Sequence, residues 1–289
     1  MLRRHAVPVI LGAFTRIEAK AADRLDTSLG STRGAALVVD VRTRTVVAIG
    51  GANRVGKSLL PPGSTLKPFA LSALIKTRKL RAEASFLCPM RLRIGARVLD
   101  CSHPPIATPM RIETALAYSC NCFVAHAAEQ FGPGELAREL ESAGFASRTG
   151  WAGNDEATGR IQPAIKADTQ RLQALGEDGV LITVAELAAA YRVLALKIGQ
   201  PEMQPILAGL EGAVEFGTAQ NARVQGVKVA GKTGTALTAA GEPVAWFAGF
   251  LPSRAPEVVV AVMVPGRSGG ADAAPIAGRI LTEYRAGKL

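Results

Sequence analysis

The chain has 289 residues, 48% of them hydrophobic and 20% charged, enough to bury one large core or two modest ones and too apolar for a disordered segment. Its 34 Lys and Arg against 24 Asp and Glu give a formal charge of +10, but aromatics make up only 5% and the basic residues are scattered, so nucleic acid is not expected as a partner. No run approaches the roughly 18 to 20 apolar residues that span a bilayer, which leaves a solvated basic surface with at most a weak pull on an anionic polymer such as a cell wall.

Residues 1–33 read as a polar lead-in or a cleavable export signal. Leu2-Arg3-Arg4 is basic, residues 6–14 are mostly apolar, and Ala19-Lys20-Ala21 has the small-x-small pattern of a cleavage site, although Pro8 and Glu18 interrupt the pattern. Residues 34–41 (GAALVVDV) and 45–49 (TVVAI) predict a β-hairpin turning through Arg42-Thr43-Arg44. Pro61-Pro62-Gly63 then breaks the chain, and Leu66, Phe69, Ala70, Ala73 and Leu74 recur at helical spacing, so Ser64 opens a helix running to about residue 78. Residues 81–109 are irregular and Pro-rich. Helical periodicity returns at 111–117 and 122–131, with Ser119-Cys120-Asn121 between, and a further short helix is expected at 134–143. The stretch 144–178 reads as loop with some helix. Thr183 and Glu186 fit a capping box ahead of a helix over 187–196. Three β-rich runs, 227–236, 244–251 and 258–264, predict an antiparallel meander, and residues 273–284 close the chain as a helix. Two strands, a block of helices, three strands and a helix predict an α+β sandwich in which both ends of the chain share one sheet.

On a helix opened by Ser64, residues three apart share a face, so the Lys67 amine can approach the Ser64 hydroxyl: a nucleophile beside a base. That amine helps only if burial or a second cation holds it neutral. Lys232, on a predicted strand, can supply the second cation and can also attract a substrate carboxylate. Ser119 can relay a proton to a departing amine, and Asn121 can orient Lys67 or hold a substrate amide. Thr233 and Thr235 hydroxyls can complete a carboxylate site, with Gly234 allowing close backbone approach. Singly, each pattern has a bland reading: a helix N-cap serine, a helix boundary, an exposed turn. A histidine-based serine mechanism is not expected, because none of His5, His103 and His126 is paired with an evident nucleophile and no Gly-x-Ser-x-Gly elbow surrounds Ser64. His126 reads as a helix residue without a role, and Trp246 either lines a groove or fills the core.

Ser64-x-x-Lys67, Ser119-x-Asn121 and Lys232-Thr233-Gly234, in that order, form a known trio. With their flanks (Pro62-Gly63-Ser64-Thr65-Leu66-Lys67-Pro68-Phe69, Ala115-Leu116-Ala117-Tyr118-Ser119-Cys120-Asn121, Gly231-Lys232-Thr233-Gly234-Thr235-Ala236 and Ala245-Trp246-Phe247-Ala248-Gly249-Phe250) the chain resembles the transpeptidase domain of penicillin-binding proteins over 34–289. The resemblance implies a β-lactamase/transpeptidase-like α+β fold: a central antiparallel sheet of about five strands, N-terminal hairpin plus C-terminal meander, flanked by helices and joined to an all-helical lobe. It implies a serine D,D-transpeptidase acylated through Ser64 by D-Ala–D-Ala stem peptides and by β-lactams, with an oxyanion hole from the backbone N–H groups of Ser64 and Thr235 and no cofactor. The alternatives are hydrolysis of the same acyl-enzyme, as a carboxypeptidase or a serine β-lactamase, and a β-lactam sensor or scaffold without turnover. No deacylating glutamate can be assigned from the sequence.

The family also implies an extracytoplasmic location. High-molecular-weight relatives carry a membrane anchor and further domains, so a stand-alone domain, a fragment, and a subunit relying on a membrane-anchored cell-wall partner are all left open. In an exported protein Cys88 and Cys101 would make a disulfide. The sharper alternative is structural zinc on Cys88, Cys101, His103 and Cys120, since some elongation-type relatives resemble this chain in carrying metal ligands around the loop. The spacing is not that of a zinc ribbon, so disulfide or unpaired thiols are preferred and no metal is assigned; Cys122 reads as a small buried residue.

Overall fold

The computed structural model describes residues 25–30 and 32–289, so the export-signal pattern lies outside the described residues. Five strands make the central sheet: β1 (Ala35–Asp40), β2 (Val46–Gly50), β3 (Ala230–Leu237), β4 (Pro243–Leu251) and β5 (Val258–Pro265). Their order is β2-β1-β5-β4-β3, all antiparallel, so the hairpin and the meander meet where β1 pairs β5 from Ala35↔Met263 to Asp40↔Val258. The sheet is the predicted one.

β1, β4 and β5 are nearly continuous apolar runs because both faces are covered. Leu37, Val39, Trp246, Phe250 and Val259 point to the helical lobe, while their neighbours Ala36, Val38, Phe247, Val260 and Val262 point to the closing helix, which runs from Ala274 to Arg285. Alternation along a strand thus selects between two cores rather than between core and water.

The lobe contains α1 (Lys67–Lys76), α2 (Ile112–Ala117), α3 (Asn121–Ala128), α4 (Glu135–Ser142), α5 (Ala167–Ala174), α6 (Val184–Lys197) and α7 (Gln204–Glu215). The Thr183–Glu186 capping box forms as expected. The irregular 81–109 stretch holds two small antiparallel ladders, Ser85–Phe86 with Met110–Arg111 and Arg91–Ile94 with Arg97–Asp100. One expectation needs correction. Ser64 does not open the α-helix; it lies in a 3-10 turn, Gly63–Leu66, that leads into α1. An α-helical bond to the Ser64 carbonyl would have to come from residue 68, and Pro68 has no N–H. Lys67 N–H takes that carbonyl instead, an i→i+3 bond that tightens the turn.

Buried aromatics fasten this turn. The Tyr191 hydroxyl of α6 donates to the Thr65 carbonyl at 3.0 Å, and its ring meets Phe69 edge-on at 5.3 Å, with Phe145 on Phe69 at 4.9 Å. Trp246 is fully buried, a core residue, and its indole N–H donates to the Pro61 carbonyl at 3.0 Å. Tyr191→Phe keeps the packing but strands the Thr65 carbonyl, a loss of about 1 kcal/mol. The expected result is a Tm about 2–4 °C lower by thermal denaturation, and an unchanged Tm would show that this bond does not hold the turn.

Candidate active site

Among residues 62–71 only Ser64 is not buried. The turn presents it because β3 passes directly beneath. A Cβ at Gly63 (φ +54°) would lie 2.4 Å from the Thr235 carbonyl oxygen, and one at Gly234 would lie 2.6 Å from that of Pro62, so turn and strand touch backbone to backbone. On the face where a Gly234 side chain would stand, Pro62 and Thr65 of the turn pack instead.

Lys67, fully buried, is the hub. Its Nζ lies 2.7 Å from the Ser119 carbonyl, 2.6 Å from Asn121 Oδ1 and 3.2 Å from Ser119 Oγ. A neutral amine has two N–H groups and one lone pair, so it can donate to the carbonyl and the amide while accepting from a hydroxyl. Burial pushes Lys67 down to about 8. Lys232, also fully buried, is driven well below the ordinary lysine range, first by burial and then by the charge of Lys67. Burial is the leading cause at both; the charge of Lys67 adds to the lowering at Lys232, whereas the lowering at Lys67, which the sequence assigned to a second cation, comes from burial.

Ser119 sits between α2 and α3 at φ +57°, a left-handed conformation that costs a non-glycine residue ~1–2 kcal/mol. This twist turns its carbonyl and hydroxyl together onto Lys67. Asn121 opens α3, and its amide donates backward to the Asp100 carbonyl at 3.1 Å, leaving Oδ1 for Lys67. On β3, Lys232 and Gly234 share one face. The hydroxyls of Thr233 and Thr235 have partners within the chain: Thr233 pairs with Thr218 at 2.7 Å, and Thr235 accepts from Gly269 N–H at 3.1 Å.

The structure thus brings Lys67, Ser119 and Asn121 into contact, and sets Ser64 and Lys232 on the elements packed against them. Sequence reading missed Tyr191, Thr218 and Glu177. Glu177 is a carboxyl in the 175–179 loop whose pKa burial raises, while Lys67 and Arg97 pull the other way. Only a fold places it near Lys67, 110 residues away in sequence. His126 stays outside the site, exposed on α3, stacked on Phe86 and 3.6 Å from Glu129.

All four cysteines are free thiols and buried. The Cys88–Cys101 bond is not formed, the sulfurs standing 3.7 Å apart. Instead Cys88, Cys101, His103 and Cys120 converge with their ligand atoms within 4.8 Å of one another. Cys120 Sγ lies 3.5 Å from Cys88 and 3.8 Å from Cys101, and His103 Nε2 lies 3.5 Å from Cys88 Sγ. A tetrahedral zinc with sulfur at ~2.3 Å and nitrogen at ~2.0 Å separates its ligand atoms by about 3.5–3.8 Å, so the donor set fits. The His103 Nδ1, 2.8 Å from the Pro104 carbonyl, is tied back as a ligating imidazole's other nitrogen usually is. Cys122 Sγ, 3.5 Å from Cys101, stands beside this set as a fifth donor.

A sheet with an N-terminal hairpin and a C-terminal meander, with Ser64-x-x-Lys67, Ser119-x-Asn121 and Lys232-Thr233-Gly234 at its junction with a helical lobe, is the α+β architecture of penicillin-binding transpeptidase domains. The sequence matches the penicillin binding protein transpeptidase domain over residues 34–282, and the chain belongs to that family. Among curated proteins it is 26% identical over 272 residues to stage V sporulation protein D of Bacillus subtilis (78% of this chain, 42% of that protein) and 28% identical over 258 residues to the probable peptidoglycan D,D-transpeptidase PbpC of Pseudomonas aeruginosa (77% and 45%). The chain thus spans under half the length of these two relatives. Of solved structures, the transpeptidase domain of Burkholderia pseudomallei penicillin-binding protein 3 matches with TM-score 0.83 at 22% identity (94% of this chain, 95% of that one). Helicobacter pylori penicillin-binding protein 2, solved with MreC, matches with TM-score 0.80 at 18% identity (92% and 63%). At these identities the likeness is one of fold.

Protein purified under reducing conditions without chelator is expected to carry about one zinc per chain, on the donor set above. Elemental analysis showing less than about a tenth of an equivalent, with Cys88 and Cys101 linked in the peptide map, would return the cysteines to the disulfide reading.

Proposed function

We propose that this chain is the catalytic domain of a serine D,D-transpeptidase of peptidoglycan cross-linking, acylated through Ser64 by D-Ala–D-Ala stem peptides and by β-lactams. The observation that carries the reading is the buried Lys67 amine, held at 2.6–2.7 Å by Asn121 and the Ser119 carbonyl one turn after Ser64. In this scheme Ser64 Oγ attacks the penultimate D-Ala carbonyl and Lys67 takes its proton. The oxyanion is met by the backbone N–H groups of Ser64 and Thr235, each worth ~3 to 4 kcal/mol. Ser119 passes a proton to the departing D-alanine amine as the C–N bond breaks. An acceptor amine then attacks the ester, its proton leaves through the same Ser119–Lys67 pair, and Ser64 is regenerated. Lys232, Thr233 and Thr235 hold the terminal carboxylate.

The substrate places the work on the outer side of the membrane. Among the described residues no helix is long and apolar enough to cross one. The Helicobacter pylori relative was solved in complex with MreC, which supports a protein partner in general, and a membrane-anchored cell-wall partner is the one this reading assigns. If a zinc ion is bound at the cysteine cluster, it braces the Ser119–Asn121 turn through Cys120 and takes no part in the acyl transfer.

Intact-protein mass after benzylpenicillin treatment should show a stable adduct in the wild type and none in Ser64→Ala. An adduct persisting in the variant would place the nucleophile elsewhere, and one vanishing within seconds would favour a β-lactamase. The acylation rate should climb with pH as Lys67 loses its proton and level off above about 8. On the acid side the slope is about tenfold per pH unit. A flat profile between about pH 6 and 9 would remove Lys67 as the base.

A further inference from the structure

Strand β3 is an edge of the sheet, paired only with β4. An extended peptide can therefore lie along its open side. With its terminal carboxylate at Lys232 and Thr233 and its scissile carbonyl at Ser64, such a peptide must run its earlier residues toward Ala236, Leu237 and Thr238. At that end of the strand a cavity of about 430 Å³ opens, walled by Pro61, Arg97, Val98, Glu177, Leu237 and Thr238 among others.

The walls carry two kinds of chemistry. Val98 and Leu237, 45% and 63% exposed, give the lining an apolar part open to a ligand. Arg97 and Glu177 are the two charged residues of the lining, and they are of opposite sign. Their charged ends make no ion pair with each other among the described residues. The Arg97 guanidinium instead donates to the Glu177 main-chain carbonyl at 3.4 Å, which leaves the carboxylate for something else. Both residues are anchored to the catalytic elements. Glu177 follows Gly176, whose carbonyl accepts from Gly63 N–H at 3.2 Å, beside the nucleophile. Arg97 lies in the hairpin that receives the Asn121 amide at Asp100.

We propose that this cavity is a subsite for the residue preceding D-Ala–D-Ala, and that it selects a long side chain ending in a zwitterion, with methylenes on Val98 and Leu237, an ammonium on Glu177 and a carboxylate on Arg97. A side chain ending in an amine alone satisfies Glu177 and leaves Arg97 without an anion. The half-buried Glu177 carboxyl gains most from such an ammonium, because burial works against its charge. The inference rests on the acyl-transfer reading for the direction of the peptide, but its test does not need turnover.

Binding is measured by calorimetry on Ser64→Ala protein, with two pentapeptides ending in D-Ala–D-Ala, one carrying 2,6-diaminopimelate and the other lysine at the third position. The zwitterionic peptide is expected to bind at least about tenfold more tightly, one charge-assisted bidentate contact being worth that much. Arg97→Ala should bring the two within about twofold by weakening only the diaminopimelate peptide, whereas Glu177→Gln should weaken both and preserve their ratio. Equal affinities in the parent protein, or a ratio untouched by Arg97→Ala, would overturn the subsite. Wild-type protein that binds with the expected ratio yet gives no benzylpenicillin adduct would uphold the subsite and remove the acyl-transfer reading instead.

Discussion

The structure depends on one buried amine. Lys67 has no solvent contact, and its nitrogen is surrounded by oxygen atoms supplied by the turn between α2 and α3. An ammonium in such a place loses its hydration and recovers it only in part through those oxygens, so its proton is held loosely. The same contacts explain why a serine tolerates the left-handed backbone at position 119. Turning Ser119 into an extended conformation would swing both its oxygens away from Lys67, and the amine would be left with Asn121 alone. The strain at Ser119 and the depressed affinity of Lys67 for its proton are two consequences of one packing arrangement.

The nucleophile turn is fixed by backbone rather than by side chains. Gly63 and Gly234 remove the two Cβ atoms that would hold the turn off β3. Above the turn, Tyr191 reaches down from α6 to the Thr65 carbonyl, and below it Trp246 reaches across from β4 to that of Pro61. Elements far apart in sequence therefore hold one 3-10 turn from opposite sides. Rigid positioning of this kind fixes where the Ser64 hydroxyl is presented.

Much of this was legible in the sequence, and the limits have physical causes. The strands were plain because a sheet covered on both faces writes continuous Val, Ala and Phe runs, as in β4 and β5. Thr183 and Glu186 marked the start of α6 through a local device, a capping box, that needs no tertiary contact. Helix α7 was not read, since Gly209 and Gly212 interrupt its pattern; both glycines pack against α2, where a Cβ at Gly209 would meet Leu116 at 2.6 Å and one at Gly212 would meet Ala117 at 3.1 Å. Ser64 was placed in the α-helix because periodicity registers the helical face but not a missing N–H four residues on, at Pro68. The trio Ser64-Lys67, Ser119-Asn121 and Lys232-Thr233-Gly234 was visible as a conjunction. Glu177 was not, because a single glutamate in a loop carries no signal until the fold sets it beside Lys67 and Arg97.

The cysteine cluster shows how closely the irregular stretch and the catalytic turn are joined. Cys88 and Cys101 flank the Arg91–Asp100 hairpin, and Cys120 lies between Ser119 and Asn121, so the convergence of these thiols with His103 ties the hairpin to the turn that holds Lys67. The Asn121 amide makes the same connection a second time, through the Asp100 carbonyl. Of these two links between one hairpin and one turn, the Asn121 amide also carries the oxygen that Lys67 holds. Arg97 rides on that hairpin, near its tip. Arg97 is therefore linked, through the Asp100 carbonyl and the Asn121 amide, to an oxygen that Lys67 holds.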